Sequence, residues 1–190
     1  MALDPIQDQL VRHIAGFFTG HEVEVQTFPG VEPTEIPPIA VATVGPGPES
    51  DLWIYMSVGC TTVLHDAGHG NEFMIVSGEQ DGRLAILLAL ASAYHCDPET
   101  ERLEYGHTFS FGEPWLPDAT CHQFLVTIPT IFERALFNYE WTDGYGQFLW
   151  LLPITDSEAR FLSEHGQEAL EHRFEANDIP YWDPRRPSAA

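Results

Sequence analysis

The sequence predicts a single α+β domain spanning residues 1–190. A chain of 190 residues with 44% hydrophobic and 12% aromatic content is long and apolar enough to pack one core. Short apolar or alternating runs of strand length recur along it, bounded by proline and glycine. Segments of helical spacing with recognisable start signals stand among those runs.

The elements follow in order. Asp4 before Pro5 is an N-cap with proline in the first turn. Ile6, Leu10, Ile14, Phe17 and Phe18 then recur at helical spacing until Gly20. Residues 22–28 alternate, 39–44 are apolar, and 52–58 carry Trp53, Tyr55 and Val58, so each reads as a strand. Residues 29–38 and 45–48 are loops, set by proline and glycine. Residues 65–71 hold two glycines and read as a turn, after which 72–77 resume as a strand.

Residues 83–95 are apolar all round, with Leu84, Leu87, Leu88 and Leu90, which predicts a buried helix. Residues 107–111 and 124–128 are further strands. Residues 148–154 are apolar throughout and predict a central strand covered on both faces. Thr155 opens a helix, with Glu158 completing a capping box and Phe161 and Leu162 on the buried face. Gly166 interrupts it, and 168–176 continue as helix with Leu170 and Phe174 on one face. From Asn177 onward, Pro180, Pro184 and Pro187 predict an extended tail. There is no internal repeat.

Charge narrows the partners. Against 29 Asp and Glu stand 8 Arg and no Lys, a net charge of −21, although charged residues make up only 19%. The imbalance comes from missing positive residues. Without a basic stripe, phosphate backbones and anionic membrane surfaces are excluded as direct partners. A small molecule, a cation or a basic protein remains, and solubility alone accounts for the same charge. Cys60, Cys96 and Cys121 are odd in number and widely spaced, which is no disulfide framework. The apolar run 84–91 is too short to span a bilayer, and the segment after Met1 lacks a basic start and a continuous apolar stretch. A cytoplasmic protein is expected.

The sharpest chemical cluster is His65-Asp66-Ala67-Gly68-His69, with Glu72 close behind. Two histidines four apart meet one zinc ion when they sit on a helix. Here Asp66 stands where such a mechanism places a glutamate base, and Gly68 and Gly70 oppose a helix. A loop gathering His65, Asp66 and His69 round a metal, and a histidine-bearing polar turn, both fit these residues. Cys121-His122 and His95-Cys96 are adjacent pairs, neither spaced like a C-x-x-C zinc half-site. Cys60 after Gly59 is the best candidate for a cysteine nucleophile, although a small buried cysteine is commoner. There is no G-x-S-x-G, no phosphate-cradling glycine loop, and no lysine for a Walker motif or a Schiff base. No catalytic set, cofactor site or complete metal site emerges, and the expectation is a non-enzyme.

The second half carries a recognisable pattern. It comprises Glu113-Pro114-Trp115-Leu116-Pro117, then Phe148-Leu149-Trp150-Leu151-Leu152-Pro153-Ile154-Thr155-Asp156-Ser157-Glu158, then Gly166-Gln167-Glu168-Ala169-Leu170-Glu171 with Phe174, and Asp183-Pro184-Arg185 with Ser188. Upstream stand Ile54-Tyr55-Met56-Ser57-Val58-Gly59 and Gly70-Asn71-Glu72-Phe73. Over residues 50–188 the chain resembles the Suppressor of fused (SUFU) domain family. That resemblance implies a mixed β-sheet packed with helices in one SUFU-like domain, and it implies protein binding. Animal members hold transcription factors through a short peptide paired as an added strand between two lobes. Single-lobe bacterial members act as immunity proteins beside polymorphic toxins. This chain matches only the first lobe. A tyrosine before the family's glycine and an aspartate in the following loop touch the peptide, and Tyr55 and Asp66 occupy similar positions. The family's Ser-Asp after that glycine is replaced by Cys60-Thr61-Thr62.

The function expected is therefore a non-catalytic protein-binding domain, an immunity protein neutralising a cognate basic toxin domain. Tyr55, Asp66 and Glu72 are its expected partner-binding residues. The alternatives are a metal-dependent hydrolase using His65 and His69 with Asp66 or Glu72, or a regulatory adaptor binding a peptide by strand addition.

Overall fold

The computed structural model describes residues 3–29, 38–64, 68–112, 114, 116–180 and 182–190. In chain order its elements are α1 (Pro5–Phe17), β1 (Val23–Phe28), β2 (Ile39–Val44), β3 (Trp53–Val58), α2 (Cys60–Val63), β4 (His69–Ser77) and α3 (Gly82–Cys96). There follow β5 (Thr108–Phe109), β6 (Gln123–Thr127), α4 (Arg134–Phe137), β7 (Asn138–Trp141), β8 (Gly144–Ile154), α5 (Asp156–His165) and α6 (Gln167–Asn177). Strands and helices form an α+β fold with a mixed sheet.

Two compact units divide the chain, Met1–Leu103 with Ile128–Trp150, and Glu104–Thr127 with Leu151–Ala190. In the first, strand order is β1-β2-β3-β4-β8, with β7 also on β8. The first four strands are antiparallel neighbours, and β4 and β8 run parallel from His69 opposite Tyr145 to Met74 opposite Trp150. β2, β3 and β4 are almost wholly buried, whereas β1 is exposed along most of its length. α1 starts as its sequence predicts. The Asp4 carboxylate accepts from the N–H groups of Ile6 and Gln7, and the Gln7 side chain accepts from Asp4 N–H. Leu10 and Ile14 are buried on its inner face, and so is the capping residue Gln7, whose amide reaches the Val58 carbonyl at 3.1 Å.

Several expectations are corrected. His69, Gly70 and Asn71 belong to β4 rather than to a turn, while positions 65–67 lie outside the described residues. The glycines serve close approach: a side chain on Gly146 would fall on the Gly70 carbonyl and the Tyr139 ring. α3 is not buried all round, since Ile86 is 49% and Leu90 44% exposed. α2, α4 and β7 have too few residues to show a period, and the sequence alone does not reveal them.

In the second unit β5 and β6 pair antiparallel, Thr108 opposite Leu125. α5 carries the expected capping box, Thr155 and Glu158 each meeting the other's backbone N–H. Its wholly buried residue is Glu158, with Phe161 and Leu162 only half-buried. The reason lies in the tail, where buried Arg186 donates to both Glu158 carboxylate oxygens at 2.6 and 2.9 Å and to the Pro153 carbonyl at 3.0 Å. Ala189 N–H adds a third bond to that carboxylate at 2.8 Å, and the Arg186 guanidinium lies over the Phe174 ring at 4.9 Å. Burial pushes the Glu158 carboxyl up. The guanidinium and the Ala189 and Thr155 N–H groups outweigh it and hold the group below the usual carboxylate range. Gly166, at φ +84°, makes the break between α5 and α6, and Leu170 and Phe174 are buried as expected.

Gly146→Ala should lower stability by about 1–3 kcal/mol, because the added methyl overpacks the β4–β8 approach. Gly16→Ala, where a methyl meets nothing within 4 Å, should raise it by roughly 0.5–1 kcal/mol. Urea midpoints of the two variants, moving in opposite directions, check both.

Candidate functional site

Glu72 is wholly buried in the middle of the first unit, which demands that its oxygens be met. One oxygen accepts from the Gly59 and Thr61 N–H groups, each at 2.9 Å, and the other from the Ser57 hydroxyl at 2.5 Å. Those donors come from β3 and from the start of α2, so a residue on β4 sets where the chain turns after Val58. Ser57 in turn accepts from Phe73 N–H at 2.8 Å. The Thr61 hydroxyl meets the Tyr139 hydroxyl at 2.6 Å, and Tyr139 donates to the Gly70 carbonyl at 3.3 Å. The chain of polar groups thus runs from β3 through α2 to β7. Burial, reinforced by the Glu72 charge, raises the Tyr139 hydroxyl well above its ordinary range.

Tyr55 is also inside, 1% exposed, with its hydroxyl accepting from Asp81 N–H at 2.8 Å. Burial raises its pKa. It steadies the residue that caps α3, whereas Glu72 steadies α2, and the two work at separate places. Asp66 and His65 lie outside the described residues. Cys60 is buried, and desolvation lifts its thiol well above the ordinary range, with Cys96 and Glu72 adding to the shift, which leaves little thiolate for nucleophilic attack. Among the described residues no group of three His, Cys, Asp or Glu is placed to hold a metal ion. No helix among them is long and apolar enough to cross a membrane.

What the polar chain supports is an exposed aromatic tip. β7 and β8 join tightly, Trp141 opposite Gly144, and Tyr145 N–H binds the Gly68 carbonyl at 2.9 Å. Tyr145 then stands 61% exposed, its ring edge-on to His69 at 5.1 Å. Glu140 and Asp143 flank it in solvent. The sequence reading missed Tyr145. The signal present was a tyrosine between two glycines (Gly144 and Gly146) just before an apolar strand.

A family profile described as Suppressor of fused protein (SUFU) matches residues 35–187. The chain belongs to the SUFU family. A SUFU homologue from Neisseria gonorrhoeae FA 1090 is similar at 29% identity and a TM-score of 0.76, covering 97% of both chains. The Sufu–Fu complex matches at 13% identity and a TM-score of 0.60, over 88% of this chain and 76% of that one. Drosophila Suppressor of Fused matches at 13% identity and a TM-score of 0.63, over 99% of this chain and 54% of that one. The last two likenesses show the fold. No curated protein sequence matches. In this SUFU chain the cage round Glu72 is made by the strand–glycine segment Ile54 to Gly59, the Thr61 N–H and the glycine–glutamate segment Gly70 to Phe73 that carries the acid.

Two predictions follow from the buried groups. Glu72→Gln should cost about 1–3 kcal/mol, since Ser57 loses its acceptor, and Glu72→Leu should cost more because two N–H groups are orphaned; denaturant melts rank them. His95 accepts from Leu103 N–H at 3.0 Å through Nδ1, and burial, with Arg102 second, lowers its pKa to about 4. Its folded pKa lies below the unfolded value of about 6.5, so the unfolded chain binds more protons in that window. Stability should therefore fall by about 2 kcal/mol between pH 7 and pH 5. In His95→Gln, which keeps an acceptor for Leu103, that slope should flatten.

Proposed function

We propose that this SUFU chain is a non-catalytic, cytoplasmic protein-binding domain, an immunity protein that neutralises a cognate basic toxin domain. The observation that carries the reading is Tyr145, an exposed ring beside the β7–β8 turn, backed by His69 and rimmed by Glu140 and Asp143. An aromatic anchor on a stiff support loses little entropy on binding, and surrounding acids select a cationic partner and speed the encounter. The net charge of −21 supports the same choice. A further support is that one structure of this fold is a complex, that of Sufu with Fu. Tyr55 and Glu72 enter as positioning residues on β3 and β4, and Asp66, which falls between those strands in the sequence, is the third residue assigned to partner binding.

A second reading, a regulatory adaptor that adds a peptide strand, is favoured by β1. Glu22 accepts from Gly45 N–H at 3.0 Å, which makes this pair and every second one after it the hydrogen-bonded pairs with β2. The backbone groups of Val23, Val25 and Thr27 consequently point away from β2.

Co-purification and calorimetry with the product of the adjacent gene test the proposal. Tyr145→Ala should weaken binding at least about tenfold, the cost of a central aromatic anchor, while leaving the urea midpoint in place. Affinity should fall as salt rises. Binding lost instead on Val25→Pro, with Tyr145→Ala neutral, moves the site to β1. Failure of every neighbouring product to bind overturns the immunity reading.

A further inference from the structure

α3 presents a face that neither the Glu72 cage nor the Tyr145 tip uses. Ile86 and Leu90 are 49% and 44% exposed, and Leu87 and Tyr94 are half-buried beside them. Positions 83, 86, 87, 90, 94 and 97 fall within one stripe of a helix turning 100° per residue. Between Leu84 and Cys96 the helix holds no Asp, Glu or Arg, and His95 is buried with its pKa lowered to about 4. In a chain of net charge −21 this uncharged, apolar stripe stands apart, and it offers a cationic partner nothing to attract it.

The ends of the stripe do carry charge, and of opposite sign. Arg83 lies seven residues before Leu90, and Asp97 lies seven after, each about 10 Å along the axis. Arg83 is paired with Asp81 and keeps half of its side chain exposed, while Asp97 closes the helix as its C-cap. We propose that α3 docks on α3 of a second copy, antiparallel, about a two-fold axis at Leu90. In that arrangement Leu90 meets Leu90, Ile86 meets Tyr94, and Arg83 of each copy meets Asp97 of the other. A two-fold pairing requires such a self-complementary patch, and the placement of Arg83, Ile86, Leu90, Tyr94 and Asp97 supplies it. The area of a single helix face is small, so the pair is weak and reversible. Two copies of −21 also repel, so association tightens as salt screens them.

Sedimentation across micromolar to millimolar protein tests this. The wild type should pass from monomer to a species of doubled mass, and should do so at lower protein concentration when salt rises from about 0.1 M to about 1 M, where the Debye length shrinks from about 10 Å to about 3 Å. Leu90→Arg, at an exposed position, should remain monomeric throughout. Leu90→Cys should form a disulfide-linked dimer under a mild oxidant such as diamide, because that residue faces its own copy. Ile86→Cys faces Tyr94 and should not. The native cysteines are buried and leave the readout clean. A wild type that stays monomeric at every concentration and salt overturns the proposal, as does equal crosslinking by the two cysteine variants. Neither result bears on binding at Tyr145.

Discussion

Burying a carboxylate within a sheet costs several kcal/mol unless its oxygens are met, and the first unit is arranged around meeting those of Glu72. Two backbone N–H groups and one hydroxyl do so, and all three belong to residues 57–61. The consequence is directional. The strand after β2 has to end at Val58, the chain has to turn through Gly59, and α2 has to begin with its N–H groups aimed back at β4. Once Thr61 is placed, its hydroxyl fixes Tyr139, and Tyr139 lies where a side chain on Gly146 would stand. The parallel pairing of β4 with β8 and the hairpin that carries Tyr145 thus depend on one acid.

Much of the fold was legible in the sequence, because its signals were local. The Asp4-Pro5 start, the Thr155–Glu158 capping box, the run Ile39–Val44 and the buried Leu170 and Phe174 rest on neighbours a few residues apart, and each stands where that reasoning put it. Other features rest on partners far along the chain. Gly70 reads as a turn signal until Gly146 is seen opposite it, 76 positions later. Glu158 reads only as a cap until Arg186 is found against it, 28 residues on. Leu90 reads as core because hydropathy does not say which side of a helix faces solvent. At the site, the glycine–glutamate element was visible as a pattern, but its role as a cage was not, since the acceptor and its donors lie 11 to 15 residues apart.

The charge of the chain is not spread evenly over its functions. Glu140 and Asp143 stand exposed beside the Tyr145 ring. The α3 stripe excludes charge between its ends. Glu72 and Glu158 differ from these surface acids, since both are buried and structural, Glu158 against the Arg186 guanidinium. A net charge of −21 is therefore a poor summary of the surface. Where each acid stands, exposed beside an aromatic ring or buried against its donors, carries more than the sum.

The parallel pairing of β4 with β8 also sets an order in time. His69 and Tyr145 are neighbours in space but 76 residues apart in the chain. At the usual pace of synthesis, about 5–20 residues per second, β4 leaves the ribosome roughly 4–15 s before the strand that covers its far edge. During that interval an apolar strand with one open edge is paired with β3 alone, and the Glu72 cage already has all of its donors while Tyr139 is still to come. The first unit is thus built as an early half that waits, with its most aggregation-prone edge exposed, for the chain to return.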